Sequence, residues 1–147
     1  MIKKVPICLG ITCAFMVVSS TLPLDKTSPQ GIENRRWRIA KYRGDGTQKG
    51  DEQGLIDAAK TAEIRFAKGR IHGSPTCGAL IGTYGLSGVQ LTIQAYFVLA
   101  GLCPLEDLAQ NQLILTAFRG DLRIEGKDDD ILLRDTSGKA RVFLVPY

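Results

Sequence analysis

The sequence predicts an α+β domain: a mostly antiparallel, curved sheet of short strands packed on one main amphipathic helix, after an N-terminal signal segment. Three observations lead there. Short runs of alternating apolar and polar residues, split by Gly- and Asp-rich turns, are the commonest pattern, and brief turns join strands antiparallel. Only one stretch, residues 103–120, combines a helical period with start and stop signals. A chain of 147 residues, 44% apolar and 23% charged, suits about one domain with its own core.

The elements follow in order. "RWRIAKY" (36–42) alternates, with Trp37 and Ile39 on one face and Arg38 on the other. "RGDGTQKGDEQG" (43–54) is a polar, glycine-rich loop, and "LIDAAKT" after it predicts a helical turn. "AEIRFAKGRIHG" (62–73) predicts a hairpin turning at Gly69, with Ile64, Phe66 and Ile71 inward and Arg65 and His72 outward. "TYGLSGVQLTIQ" (83–94) predicts a second hairpin, in which Val89, Leu91 and Ile93 alternate with Gln90 and Thr92.

In the helix, Pro104 suits the first position, while Glu106 and Asp107 complement the positive amino-terminal dipole. Leu105, Ala109, Leu113 and Ala117 predict the buried stripe, widened by Leu108, Ile114 and Phe118; Gly120 can end it. Strands at 121–125, 131–135 and 140–146 close the chain, turning at "GKDDD" and "TSGK".

The first residues predict export. Lys3 and Lys4 make a positive start, and residues 5–20 form an apolar run short for a bilayer span. Val18 and Ser20 fit the −3 and −1 positions of a cleavage site before Thr21. Residues 1–20 are therefore expected to be a bacterial secretory signal peptide, 21–35 a flexible linker and 36–147 the folded domain. The expected location is periplasmic or secreted; the alternative is an uncleaved segment anchoring the protein in the membrane.

Removing Lys3 and Lys4 cuts the net charge from +4 to +2, and the remaining bases and acids are interspersed. That balance argues against nucleic acid as a partner. The one dense basic cluster, "NRRWR" at 34–38, fits a solvated strand entrance. Cleavage would leave two cysteines, Cys77 and Cys103. In an oxidising compartment they could form a structural disulfide tying the glycine-rich turn to the helix start; two free buried thiols remain the alternative.

His72 and Cys77 could instead be a thiolate–imidazole pair, but nucleophilic catalysis usually needs a third, orienting group, and none stands nearby. One His and two distant Cys lack zinc spacing, and Asp128–Asp130 lack the calcium-loop pattern. Glu33, Glu52, Asp57 and Glu63 form no carboxylate pair by spacing, and the glycines carry no phosphate-loop ending. Tyr84, Tyr96 and Phe97 could line a groove, although aromatics near sheet turns are more often packing residues. No catalytic, cofactor-binding or metal site is assigned, and no cofactor is expected.

The segment "AEIRFAKGRIHGSPTCGALIGTYGLSGVQLTI" resembles the central signature of the META domain family of HslJ-like proteins. Gly73, Cys77, Gly82, Tyr84, Gly88 and Leu91 sit at matching positions, and Trp37 matches the tryptophan that often opens the domain. The likeness runs over 36–147. The family's "GCN" is "TCG" here, with Thr76 and Gly78, so the asparagine role does not transfer. The resemblance implies a small α+β domain, often exported or envelope-associated, linked to stress such as heat or to antibiotic tolerance, with no shared catalytic mechanism.

Three functions compete. The first is a non-enzymatic, stress-linked binding or structural module of the bacterial envelope, whose partner would be an envelope protein or small ligand. The second is a Cys77-dependent hydrolase or redox enzyme. The third is an inhibitor-like domain presenting the 43–54 loop or a sheet edge. Contact with the membrane is expected only through an uncleaved signal segment.

Overall fold

The computed structural model describes residues 31–99 and 101–147. The expected signal segment and residues 21–30 of the expected linker lie outside them. The elements are β1 (Arg36–Arg43), β2 (Leu55–Asp57), β3 (Glu63–Ala67), β4 (Arg70–Ser74), β5 (Ala79–Ser87), β6 (Gln90–Val98), α1 (Leu105–Phe118), β7 (Gly120–Lys127), β8 (Asp130–Asp135) and β9 (Ala140–Pro146).

Local chemistry sets the hairpins. Lys68 and Gly69 carry φ values of 50° and 75°, the doubly positive pair that matches the twist of two joined strands. At the β8–β9 turn the Asp135 carboxylate accepts the N–H groups of Ser137 and Lys139, so one side chain organises the bend. "LIDAAKT" starts with strand β2, not a helical turn: Tyr42 pairs with Ile56 and Arg43 with Leu55.

The α+β expectation is corrected. All named strands form one nine-stranded sheet, ordered β2-β1-β3-β4-β5-β6-β7-β8-β9, in which every strand pairing is antiparallel; β1 also pairs with β9. Trp37 lies opposite Pro146, Ile39 opposite Leu144 and Tyr42 opposite Val142. Eight strands thus close a ring, and β2 adds to the β1 edge beyond β3. The sheet encloses its own core instead of leaning on a helical layer, and α1 is the only helix among the described residues. Nor are the strands all short: β5 and β6 each run nine residues.

Inward residues of each strand fill the ring. Trp37, Ile39, Ile64, Phe66, Ile71, Leu80, Leu91, Leu122, Leu133 and Leu144 are all buried. Burying each large apolar side chain contributes about 1.5–3 kcal/mol before entropy is counted. Trp37 donates its indole N–H to the Ile32 carbonyl at 2.9 Å. Ile32 is fully buried, so residues 31–35, the end of the expected linker, pack onto the domain.

The helix buries the end of the expected stripe, Ile114, Ala117 and Phe118, but not its start. Leu105 is 84% exposed and Ala109 is exposed. The buried positions are Asp107, Gln110, Asn111, Ile114, Leu115, Ala117 and Phe118. Only the last two turns meet the apolar core. The first two lie against loop backbone, whose buried groups need polar partners.

Strand β8 buries Ile131, Leu132 and Leu133 in succession, against the two-residue alternation of a half-solvated strand. Both its faces are covered. Ile131 and Leu133 belong to the main core, whereas Leu132 joins Leu55 and Ala140 in a second small cluster, with Phe143 against it. Leu55 reaches it from the far end of the 44–54 loop, which acts as a flap.

Candidate functional site

The stretch with the most chemistry-bearing residues, 70–84, folds into β4, a bend and most of β5. Cys77 and Cys103 are disulfide-bonded across that bend, their Cα atoms 5.9 Å apart. Ring closure over 26 residues restricts the unfolded chain and contributes about 3–4 kcal/mol on the chain-entropy model.

The buried polar face of α1 completes this corner. Gln110 accepts the Ala59 N–H at 3.0 Å and donates to the Thr76 hydroxyl at 2.7 Å and the Lys60 carbonyl at 3.3 Å. Asn111 donates to the Cys77 carbonyl at 2.7 Å, and its Oδ1 is buried with no partner among the described residues. Lys60 donates to Asp107 at 2.5 Å. One helix face thus holds the 58–60 and 76–77 segments to each other. The sequence reading missed Lys60, Thr76, Asp107, Gln110 and Asn111. A signal was present: Asp107, Gln110 and Asn111 share the helical face of Ile114 and Phe118.

The family-signature positions serve packing and turn geometry. Gly73 faces Ile64 across the β3–β4 pair, Leu91 is fully buried, and Gly88 forms the β5–β6 turn with a φ of 60°. A Cβ on Gly82 would lie 2.2 Å from the Gln94 carbonyl oxygen, so only glycine lets β5 approach β6 this closely. Tyr84 is buried, packs edge-on against Phe66 with centroids 5.3 Å apart, and donates its hydroxyl to Glu33 at 2.5 Å. Burial, with the Glu33 hydrogen bond second, raises the Tyr84 phenol above its ordinary value.

The other candidates do not converge. His72 points outward from β4, and the Cys77 sulfur is bonded to Cys103. Tyr84 lies inside the barrel while Tyr96 is 58% exposed, so the three aromatics do not share a groove. Glu33, Glu52, Asp57 and Glu63 belong to no group of metal-binding geometry among the described residues. The 43–54 loop is fastened at its base: Arg43 donates to the Ala140 and Gln53 carbonyls, and Arg134 donates to the Gln53 side chain at 3.2 Å.

Three cations around this loop pair with acids. Lys41 meets Asp51 at 3.0 Å and Asp57 at 3.7 Å, Arg134 meets Glu125 at 2.7 Å, and Arg141 meets Asp135 at 3.6 Å. Burial alone would raise the Asp51 carboxyl, but the Leu55 N–H, the Lys41 ammonium and the Gln53 N–H together hold it below its ordinary value. The Ser137 hydroxyl leads the groups that lower Asp135, against a smaller opposing effect of burial.

Exposed apolar side chains cluster in sequence around Cys103: Tyr96, Val98, Leu99, Leu102 and Leu105 are each 44% exposed or more. No charged residue occurs from Leu86 to Leu105.

Among curated proteins none matches this chain. Two solved structures share the fold. One, a protein from Burkholderia xenovorans solved by NMR, is 12% identical, with a TM-score of 0.60 and 99% of each chain covered. Another NMR structure is 15% identical, with a TM-score of 0.54, covering 80% of this chain and 93% of that one. The META domain family model matches residues 30–146, from just before the buried Ile32 to the end of β9. With that match spanning the whole closed barrel and its helix, the chain belongs to the META domain family.

Proposed function

We propose that this META domain is a non-enzymatic, exported module of the bacterial envelope whose work is binding or structural, in a stress-linked setting. The observation that carries the reading is the Cys77–Cys103 bond. A sulfur held in that bond is not the thiolate a nucleophilic enzyme would need, and His72 faces away from the core on β4. A disulfide also suits the oxidising compartment that the N-terminal charge and hydropathy pattern points to. The exposed apolar side chains around Cys103 support a binding role, because exposed apolar patches commonly mark interaction sites.

Mass spectrometry of the protein isolated from cells, alkylated without reduction, tests this reading. The expected species starts near Thr21 and carries no alkyl group on Cys77 or Cys103. An intact precursor in the cytosol, or a freely alkylated Cys77, would overturn it.

A further inference from the structure

The outward face of β1, β3 and β4 collects positive charge that the sequence scatters. Arg36 lies opposite Arg65, Arg65 opposite His72, and Arg38 opposite Glu63. Arg70 follows on β4, and Arg35 precedes β1. Inward Trp37, Ile64, Phe66 and Ile71 send the intervening arginines outward, and Arg35, Arg36, Arg38, Arg65 and Arg70 are all exposed. Glu63 is the one carboxylate side chain on these three strands, and it is bound to Arg36 at 2.5 Å. Among the described residues no salt bridge reaches Arg35, Arg38, Arg65 or Arg70.

Like charges placed directly across a strand pair destabilise it. Here the Arg36–Arg65 pair persists, whereas Lys41, Lys60, Arg134 and Arg141 elsewhere each meet an acid. Two guanidinia are also oriented by aromatic rings. Arg36 stacks on the Tyr147 ring at 4.1 Å and Arg35 on Trp37 at 4.9 Å. Between them lies an open depression of about 420 Å³, lined by Asn34, Arg35, Arg36, Arg65, Pro146 and Tyr147.

We propose that this depression is a binding site for a phosphate group, either free or displayed by a lipid headgroup. An arginine fork takes two oxygens at once. A carboxylate offers two oxygens in one plane, whereas the three or four oxygens of a phosphate, arranged tetrahedrally, can engage the forks of Arg36 and Arg65 together. The bridge replaces their repulsion with shared attraction. The site does not depend on export, so it stands or falls separately from the reading above.

Thermal melting of the full chain at low salt, with inorganic phosphate as the probe, tests it on wild type, Arg65→Gln and Arg134→Gln. Without phosphate, Arg65→Gln should melt above wild type because the repulsion is gone. Phosphate should raise the melting temperature of wild type and Arg134→Gln and leave Arg65→Gln unmoved. Arg65→Lys, which keeps the charge but loses the fork, should lose most of the phosphate response; it also serves if Arg65→Gln does not fold.

Sedimentation with vesicles of phosphatidylcholine, alone or mixed equally with phosphatidylglycerol, separates the sources. A lipid-borne group predicts that Arg65→Gln lowers binding about fivefold on the anionic vesicles only. Equal vesicle binding alongside a phosphate response confined to chains with Arg65 assigns the free ion. Equal phosphate stabilisation of all variants, or none in wild type, with no vesicle difference, would overturn the proposal.

Discussion

The outside of the barrel is finished in two ways. Over β8 and β9 the flap adds an apolar cluster around Leu132, and Lys41, Arg134 and Arg141 meet acids or carbonyls. Over β1, β3 and β4 the described residues add no second layer, and Arg36 faces Arg65. The two faces share strand β1, so the difference does not come from the backbone. It comes from which outward residues the register brings opposite one another. A modest net charge of +4 therefore hides a segregated surface, and the segregation is visible only once strands are paired.

The disulfide sets the energy scale against which changes on the two faces are measured. Reducing Cys77–Cys103, which belongs to neither face, should destabilise the domain by about 3–4 kcal/mol, read by urea unfolding with and without reductant.

On the covered face, Leu55→Ala should cost about 2–4 kcal/mol, since it empties the small cluster above β8. The same measurement on an exposed flap residue such as Gln48 should show almost nothing. If Leu55→Ala were equally silent, the flap would not be a second layer.

Asp51→Asn should cost about 1–2 kcal/mol, because its carboxylate accepts the Gln53 and Leu55 N–H groups and meets Lys41. Its folded pKa lies below the ordinary 3.8. The stabilisation is therefore fully present above that value and lost as the pH falls through the folded one. Wild type should lose stability on acidification below about pH 4, and Asp51→Asn should lose less over the same range.

The smallest effect falls on the bare face. Arg65→Gln should stabilise the protein by about 0.2–1 kcal/mol at low salt, and the gain should vanish at high salt as screening replaces it. Arg134→Gln, on the covered face, should destabilise by a similar amount and also weaken with salt. Opposite signs at low ionic strength, converging at high, would confirm that the two faces handle charge differently.

Much of the strand pattern was legible. The inward set Ile64, Phe66, Ile71, Leu91 and Ile93 follows from two-residue alternation, and the turn at Lys68–Gly69 follows from the need for positive φ. Three features were not. The β1–β9 seam joins residues about a hundred positions apart, and no local period records such a pairing. Leu132 falls on the outward side of its strand, so its burial depends on a flap anchored elsewhere. The first turns of the helix face were misassigned because apolar spacing favoured Leu105 and Ala109, whereas the backbone groups beneath α1 required Asp107, Gln110 and Asn111. The candidate site was half legible. The cysteine pair stood out, but the arginine face needed Arg36 and Arg65 to be brought together across a ladder.

The seam between the first and last strands governs the order of events during biosynthesis. Until Ala140–Pro146 has left the ribosome, Trp37 and Ile39 lack their partners on one flank, and the sheet has raw edges on both sides. A nascent chain therefore cannot close its barrel before the last strand emerges. A stop codon a few positions upstream of Ala140 would yield a product with no means of closing.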